Sequence, residues 1–241
     1  MSMSLDGYVA DSNDGVVEVF DWYFNSGNVE VSTGGGVPMT FKVSEPSAKH
    51  LYELTSGLGA VLTGRRTFEV AHGWGGRHAW GPAFVLTHAI PSGWPRADST
   101  VHFVLDGLES AAKQAKAAAG EKSVGVHGAD TIQQLLKAGL LDELSIDVAA
   151  VLLGSGIRLF DRLASAPAFL GNPDVIQGSV LRIFATLFEE GSVRRDFALT
   201  DSAGEIRSGL LMNGRLIAFN PISGSLQRWI FCGHSHLVRR W

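Results

Sequence analysis

The sequence predicts an α/β fold, a three-layer, mostly parallel mixed sheet with helices on both faces. Three observations lead there. From residue 1 to about 165, strand-like runs alternate with helix-like segments, and strands separated by helices need crossover connections, which produce parallel sheets. Some of those runs are short and continuously apolar, as in "LGAVLT" at 58–63, the pattern of a buried strand. Glycine stands where strand gives way to helix, at Gly64 and Gly128, where it lets the backbone come close to a ligand.

Taken in order, "MSMSLDGYVA" reads as a strand closed by the polar turn "DSNDG". Residues 16–45 read as irregular, with "STGGGVP" as a loop signal. "EPSAKHLYELTSG" (45–57) reads as a helix, with Pro46 early, Leu51 and Leu54 on one face and Gly57 as its stop. "LGAVLT" follows as a strand, and beyond Gly64 the chain turns helical. "FVLTH" (84–88) and "TVHFVL" (100–105) are further strands. The alanine-rich "GLESAAKQAKAAAG" (107–120) is a helix ending on glycine. "KSVGVHG" is a strand closed by Gly128, "ADTIQQLLKAGL" (129–140) a helix stopped near Gly139, and "DELSIDVAAVLLG" (142–154) a long strand.

Composition bounds the function classes. The chain has 241 residues, 45% hydrophobic, with mean hydropathy +0.13, enough for one sizeable core. Net charge is −4 with no dominant basic stripe, which argues against a nucleic-acid partner. The single cysteine, Cys232, excludes an intramolecular disulfide and fits a reducing compartment. The first residues lack a basic stretch followed by an apolar one, so no signal peptide is expected. No run approaches the roughly 20 apolar residues of a membrane span. A soluble cytoplasmic protein without a membrane partner is therefore expected. The tail differs in character. Residues 1–165 hold 12 Lys+Arg against 18 Asp+Glu, residues 166–241 hold 8 Arg against 6 Asp+Glu, and the last 29 residues carry no acid. Residues 1–187 are accordingly read as one domain and 188–241 as an atypical, poorly packing C-terminal extension, with a small ordered subdomain as the alternative.

The chemistry concentrates at the strand ends. In an open α/β sheet, ligands sit beyond the carboxyl ends of the strands, and free N–H groups at a helix start suit phosphate. "LTGRRT" places Gly64, Arg65, Arg66 and Thr67 at one such junction, with guanidinium forks that match phosphate oxygens. "VHGADT" places Gly128, Ala129, Asp130 and Thr131 at a second, and Thr87 and His88 end a third strand. Together they suggest a dinucleotide across the sheet edge, the arginines favouring a 2′-phosphorylated one. The competing reading leaves Arg65 and Arg66 on a solvated helical turn. Other fingerprints fail: "GGGVPM" and "GSGIRL" lack the last glycine of G-x-G-x-x-G, "AAAGEKS" lacks the first glycine of a Walker loop, and G-x-S-x-G is missing. "CGHSH" (232–236) matches no common zinc spacing, so no metal is expected.

In order and spacing, "SLDGYVAD", "LTGRRTFE", "FVLTH" and "VGVHGADTIQQLLKAGLLDELSIDVAAVLLGSGIRLFD" resemble the dihydrofolate reductase-like family that includes the reductase domain of the riboflavin-pathway deaminase-reductase. The likeness covers about residues 1–165 and weakens through "NPDVIQGSVLRIFATL", which resembles the family's last strand. The resemblance implies an enzyme moving a hydride from NADPH to a small pterin- or pyrimidine-like heterocycle, and a homodimer. It implies that Gly64, Arg65, Arg66 and Thr67 hold the cofactor's phosphates, Thr87 and His88 lie near its adenosine, and Gly128, Ala129, Asp130 and Thr131 form the second phosphate junction. Val9 and Ala10 would face the nicotinamide. Gly154 and Gly156 match a three-glycine turn in which Ser155 replaces the middle glycine. Relatives carry two glycines where this chain has Gly128-Ala129, and the added methyl is expected to narrow the backbone's approach to pyrophosphate. Relatives also have several residues ahead of "SMSLDG", so the first strand is expected to be short and its neighbours' ladder groups unpaired.

Hydride transfer asks little of side chains beyond orientation, exclusion of water and a proton route. Asp21 in "EVFDWYF" is the candidate proton relay, with Trp22 and Tyr23 as candidate walls of the substrate pocket. The competing reading makes Asp21 a helix-start residue with Trp22 and Phe24 in the core. Asp6 in "SLDG" is a further acid, best suited to turn formation. The alternative function is a degenerate, non-catalytic nucleotide-binding protein of the same fold.

Overall fold

The computed structural model describes residues 1–161, 163, 170, 174–180 and 183, together with the backbone of 181–182, 184–186, 197–200, 206–212 and 215–218. The elements are β1 (Ser2–Ser4), β2 (Tyr8–Ala10), α1 (Val17–Asn25), β3 (Val29–Ser32), β4 (Thr40–Val43), α2 (Glu45–Gly57), β5 (Leu58–Gly64) and α3 (Arg65–Val70). Then come β6 (Ala83–Leu86), β7 (Val101–Val104), α4 (Leu108–Ala119), β8 (Ser123–His127), α5 (Ala129–Lys137), β9 (Glu143–Ala149) and β10 (Ile157–Arg158). β11 (Asp174–Gln177), β12 (Leu181–Thr186), β13 (Phe197–Thr200), β14 (Ile206–Met212) and β15 (Arg215–Ala218) follow.

Four strands form an all-parallel sheet in the order β7-β6-β5-β8. Its side chains alternate in face along β5, as the two-residue period of a strand requires. Ala60 and Leu62 meet Ala111, Ala112, Ala115 and Ala119 of α4 on one face. Val61 packs with Phe68, Val85 and Val101 on the other, under Trp74, Trp80 and Trp94. The small alanine surface lets α4 lie close to the sheet. A second sheet, β1-β9-β12-β11, joins β1 to β9 in parallel and β12 to β9 and β11 in antiparallel. The fold is thus the mixed, mostly parallel α/β arrangement that the alternating pattern predicts.

No backbone ladder joins the two four-stranded sheets among the described residues. β1 pairs with β9 from Ser2 to Ser4, and the Met1 ammonium donates to the Ser145 carbonyl at 2.7 Å. The outer edge of β8 has no strand partner among the described elements. Helix α5 bridges the gap. Ala129 and Ile132 pack with Val9, Leu144 and Leu159, and with Val126, Met3 and Ile146 around them.

Four local readings are corrected. Residues 1–10 form two strands, because Gly7 at φ +93 turns the chain and donates to the Ser4 carbonyl at 3.0 Å. Residues 16–45 contain α1 and the β3–β4 hairpin, held by Trp22, Val31 and Val43 against Ala48, Leu51 and Ala149. β9 ends at Ala149 rather than 154, and β11 adds a strand ahead of β12. Within 188–241, β13, β14 and β15 make an antiparallel sheet. The rest of that segment, including Cys232 and "CGHSH", lies outside the described residues, and so does the expectation of poor packing there.

The turn after β9 is pinned to the first hairpin. Asp6 accepts hydrogen bonds from the backbone N–H of Leu153 (3.2 Å) and Gly154 (2.7 Å) and from the Ser4 hydroxyl (2.6 Å). The Ser4 bond leads in holding its carboxyl down at about 2. Asp6 is therefore a structural clamp. A Cβ on Gly156 would stand 2.1 Å from the Ala10 carbonyl oxygen, at φ +136. Gly156→Ala is expected to cost about 2–4 kcal/mol in urea denaturation, against about 1 kcal/mol for Gly154→Ala, where nothing lies within 4 Å of the added carbon.

His78 and His127 meet beside Trp80, with ring centroids 5.1 Å apart and each about 5 Å from the indole. The backbone N–H of Trp80 donates to His78 Nδ1 at 3.1 Å, so this nitrogen is unprotonated and the neutral ring carries its proton on Nε2. Burial pushes His78 down to about 4 and His127 to about 3, the latter also repelled by His78 and by the N-terminal ammonium. The unfolded chain takes up these protons near 6.5 and the folded chain resists them. Stability is thus complete above pH 6.5 and is lost as pH falls toward 4. A drop of at least about 2 kcal/mol between pH 7 and 4 is expected in denaturation titrations, reduced but not abolished in His78→Gln, because burial still depresses His127. An equal drop in that variant rules His78 out as a source.

Candidate functional site

β5 continues through α3 to β6 on one side, while β8 lies on its other side. The strand order reverses here, and a crevice opens beyond the carboxyl ends of the strands at such a point. Ladder register brings the ends level: Thr63 pairs with His127 and Gly64 with Leu86. Gly64, Thr87 and Gly128 thus stand along one edge, lining an open cleft of about 2260 Å³.

The two glycine junctions interlock. A Cβ on Gly128 would lie 2.7 Å from Thr67 Oγ1, and one on Gly64 would lie 3.0 Å from Thr131 Oγ1. Each missing side chain makes room for the threonine hydroxyl of the opposite junction. Gly128 also holds φ +90, which L-residues rarely adopt. Helix α5 starts on it, so its first N–H groups face the crevice edge without intrahelical partners. The two corners therefore form one surface. The Thr63 hydroxyl, fully buried, ties them further by donating to the His127 carbonyl at 3.2 Å.

The structure brings every cofactor-binding position read from the sequence to this cleft: Val9, Ala10, Gly64, Arg65, Arg66, Thr67, Thr87, His88, Gly128, Ala129, Asp130 and Thr131. Their states differ. Thr87 is buried and spends its hydroxyl on the Ala89 carbonyl at 2.9 Å, shaping the turn, while His88 is exposed. The Ala129 methyl is 6% exposed and fills core space beside Ile132 and Leu159, so the Gly-to-Ala change adds apolar packing under the junction. Asp130 is exposed and accepts from Gln134 one helical turn on. Arg65 pairs with Glu69 on its own helix at 2.8 Å. Arg66 forms a two-point pair with Asp14, Nε to Oδ1 and Nη2 to Oδ2, each 2.8 Å. Asp14 is the first cause holding the Arg66 guanidinium above its ordinary value.

Helix α1 forms the wall facing these junctions. Val16, Phe20, Tyr23 and Phe24 line the cleft with Met39 and Phe41 from the β3–β4 hairpin. Tyr23 stands 5.5 Å from Phe20 and 4.6 Å from Phe41. Trp22 does not line the cleft. It is 5% exposed, donates its indole N–H to Ser2 Oγ at 3.1 Å and belongs to the core. Tyr23 stacks on it and reaches the cleft. Asp21 is corrected too. At about 100° per residue it lies about 200° from Tyr23 around α1, exposed and bonded to Asn25 Nδ2 at 2.5 Å. The α1 aromatics were detectable in "VFDWYF" by their three- and four-residue spacing, had residues 16–45 been read as helical. Asp14 offered no signal beyond its turn.

Trp74, His78, Trp80 and His127 complete the lining at the β8 side, a neutral aromatic floor because burial keeps both imidazoles uncharged. The donor set fits a nicotinamide dinucleotide: two arginines and the α5 start for phosphates, and apolar or aromatic surface for the rings. Among the described residues, no group of three or more His, Cys, Asp or Glu is arranged to hold a metal, and no helix is long and apolar enough to cross a membrane.

Comparison with known proteins identifies a family and a fold. The family model of the RibD C-terminal domain matches residues 1–169. No curated protein matches. Among solved structures, a candidate riboflavin biosynthesis protein from Shewanella sp. PV-4 superposes with TM-score 0.55 at 24% identity, covering 78% of this chain and all of that one. The deaminase/5-amino-6-(5-phosphoribosylamino)uracil reductase of Thermotoga maritima (TM-score 0.49, 12% identity) and RibD of Acinetobacter baumannii (0.49, 18%) are matched over 77% and 78% of this chain and 54% and 56% of theirs. With more than half its length matched by the family model, this chain belongs to the RibD C-terminal domain family and has its dihydrofolate reductase-like fold.

Proposed function

We propose that the protein is an NADPH-dependent reductase that transfers a hydride to a small pyrimidine- or pterin-like heterocycle. Membership in a family of reductase domains supports the pyrimidine reductase-like class. The observation that carries the finer reading is the interlock of the Gly64 and Gly128 junctions beside Arg65 and Arg66, in one cleft with the α1 aromatics. A bound nicotinamide would supply the hydride. The chain's own work is to hold and orient. Gly64, Thr67, Gly128 and Thr131 offer backbone and hydroxyl groups to the phosphates, Arg65 and Arg66 the cationic forks. Val9 and Ala10, at the end of β2, shape the floor where the rings meet. Phe20, Tyr23 and Phe41 present flat apolar surface to a heterocycle and reduce water near it. With Asp21 on the far face of α1, the accompanying proton is assigned to water entering the open cleft.

One observation favours the second reading, a nucleotide-binding protein without turnover: Asp21, the candidate proton relay, is exposed and stands outside the cleft lining. NADPH binding combined with substrate turnover separates the two. NADPH at a hundredfold excess over its Kd is expected to stabilise the fold by about 2.7 kcal/mol, read as a rise in Tm. No rise overturns both readings, while a rise without oxidation across pyrimidine and pterin substrates selects the second. The double variant Arg65→Ala, Arg66→Ala is expected to weaken NADPH about 10- to 100-fold, from the loss of charge-assisted bonds, with NADH changed less than about twofold. Equal losses would remove the 2′-phosphate assignment.

A further inference from the structure

The two arginines are held in different ways. The Arg65–Glu69 pair closes one turn of α3 and links nothing else. The Arg66–Asp14 pair joins elements 52 residues apart, binding the loop between β2 and α1 to the corner after β5. Both partners line the cleft. Asp14 is presented by a loop that closes on itself. Asp11 Oδ1 accepts from the N–H groups of Asn13 and Gly15 at 2.7 Å each, and the Asp11 N–H donates to the Gly15 carbonyl at 2.8 Å. Asp14 itself sits at φ +67. Its side chain is 27% exposed against 68% for Arg66, so the carboxylate is the more enclosed member of the pair.

A carboxylate that meets a guanidinium through both oxygens occupies the same fork that a phosphate monoester would use. Asp14 holds the Nε/Nη2 edge of Arg66, so a phosphate ester that takes this edge must displace it. We propose that Asp14 is a specificity-determining residue that acts as a built-in competitor. It occupies the Arg66 fork in the free protein, and a dianionic ester must displace it. Displacement frees the 11–15 loop from the α3 corner, so Asp14 couples recognition of the ester to opening of that wall. A ligand without the ester leaves the pair intact and meets no competition. Asp14 thereby narrows the preference for a 2′-phosphorylated nucleotide over an unphosphorylated one. This rests on the reading of Arg66 as an anion site given above.

The test uses calorimetric titration of the full chain with 2′,5′-ADP and with 5′-AMP, on wild type, Asp14→Asn, Arg66→Ala and the double variant. Asparagine keeps the shape and tolerates positive φ, so the loop is retained. Asp14→Asn is expected to tighten 2′,5′-ADP about threefold or more, the size expected when an exposed ion pair no longer has to be broken. Binding of 5′-AMP should stay the same, and Asp14→Asn should have no effect in the Arg66→Ala background. If Arg66→Ala weakens 2′,5′-ADP but Asp14→Asn leaves it unchanged, Asp14 does not compete; the inference fails and the anion site stands. If Asp14→Asn weakens 2′,5′-ADP, the carboxylate positions Arg66 for its ligand, which also overturns competition. If wild type binds both nucleotides equally and Arg66→Ala alters neither, the anion site itself fails, and the inference with it.

Discussion

The apolar face of α5 makes one structure out of two sheets. The parallel sheet ends at β8, the mixed sheet begins at β1, and no described ladder connects them. Ala129 and Ile132 fill the interval between Val126 on one side and Val9, Leu144 and Leu159 on the other. Hydrophobic burial does not need hydrogen-bond register, so it can join sheets that cannot pair, at about 1.5–3 kcal/mol for each fully buried large side chain. The same helix begins on Gly128 and so carries half of the candidate site on its first turn. Stability of the whole and placement of the Gly128 corner of the candidate site therefore rest on one element. The edges left by the missing ladder border the cleft, and most of β8 is only half-buried, which lets water satisfy its outer backbone groups.

The site's electrostatics are balanced rather than strongly positive. Arg65 and Arg66 are each matched by a carboxylate, and the floor formed by His78 and His127 is kept neutral by burial. Such a cleft does not attract every passing polyanion. The corner itself is set by geometry: two glycines, each shaped around the other junction's threonine, hold the two strand ends together. An exposed arginine held by an acid can be redirected at small energetic cost, because surface ion pairs contribute little to stability. A site of this kind keeps its charges soluble when empty and available when filled.

Some residues could be placed without coordinates because their chemistry is local. Gly64 and Gly128 end strands and open helices, a property of the few residues on either side. Helix α2 runs from Glu45 to Gly57, its bounds set by an early proline and a glycine stop. The aromatic wall was not legible, because α1 lies within a segment rich in turn-forming residues and its helical spacing is only nine residues long. Trp22 and Tyr23 are neighbours in sequence and opposite in fate: successive residues on a helix point about 100° apart, so one enters the core and the other the cleft. The same rotation carries Asp21 to solvent.

By itself, the sequence determined the alternation of strands and helices, the family resemblance carried by residues 1–165, and which residue types gather at the strand ends, because periodicity, glycine position and motif order are properties of nearby residues. The tertiary structure alone decided that the Gly64 and Gly128 corners interlock, that Asp14 reaches Arg66 across 52 positions, that two buried imidazoles stay neutral, and that the sheets meet through α5. Those outcomes depend on which distant surfaces come into contact, and contact between distant surfaces is set by the packing of the whole core rather than by any local pattern.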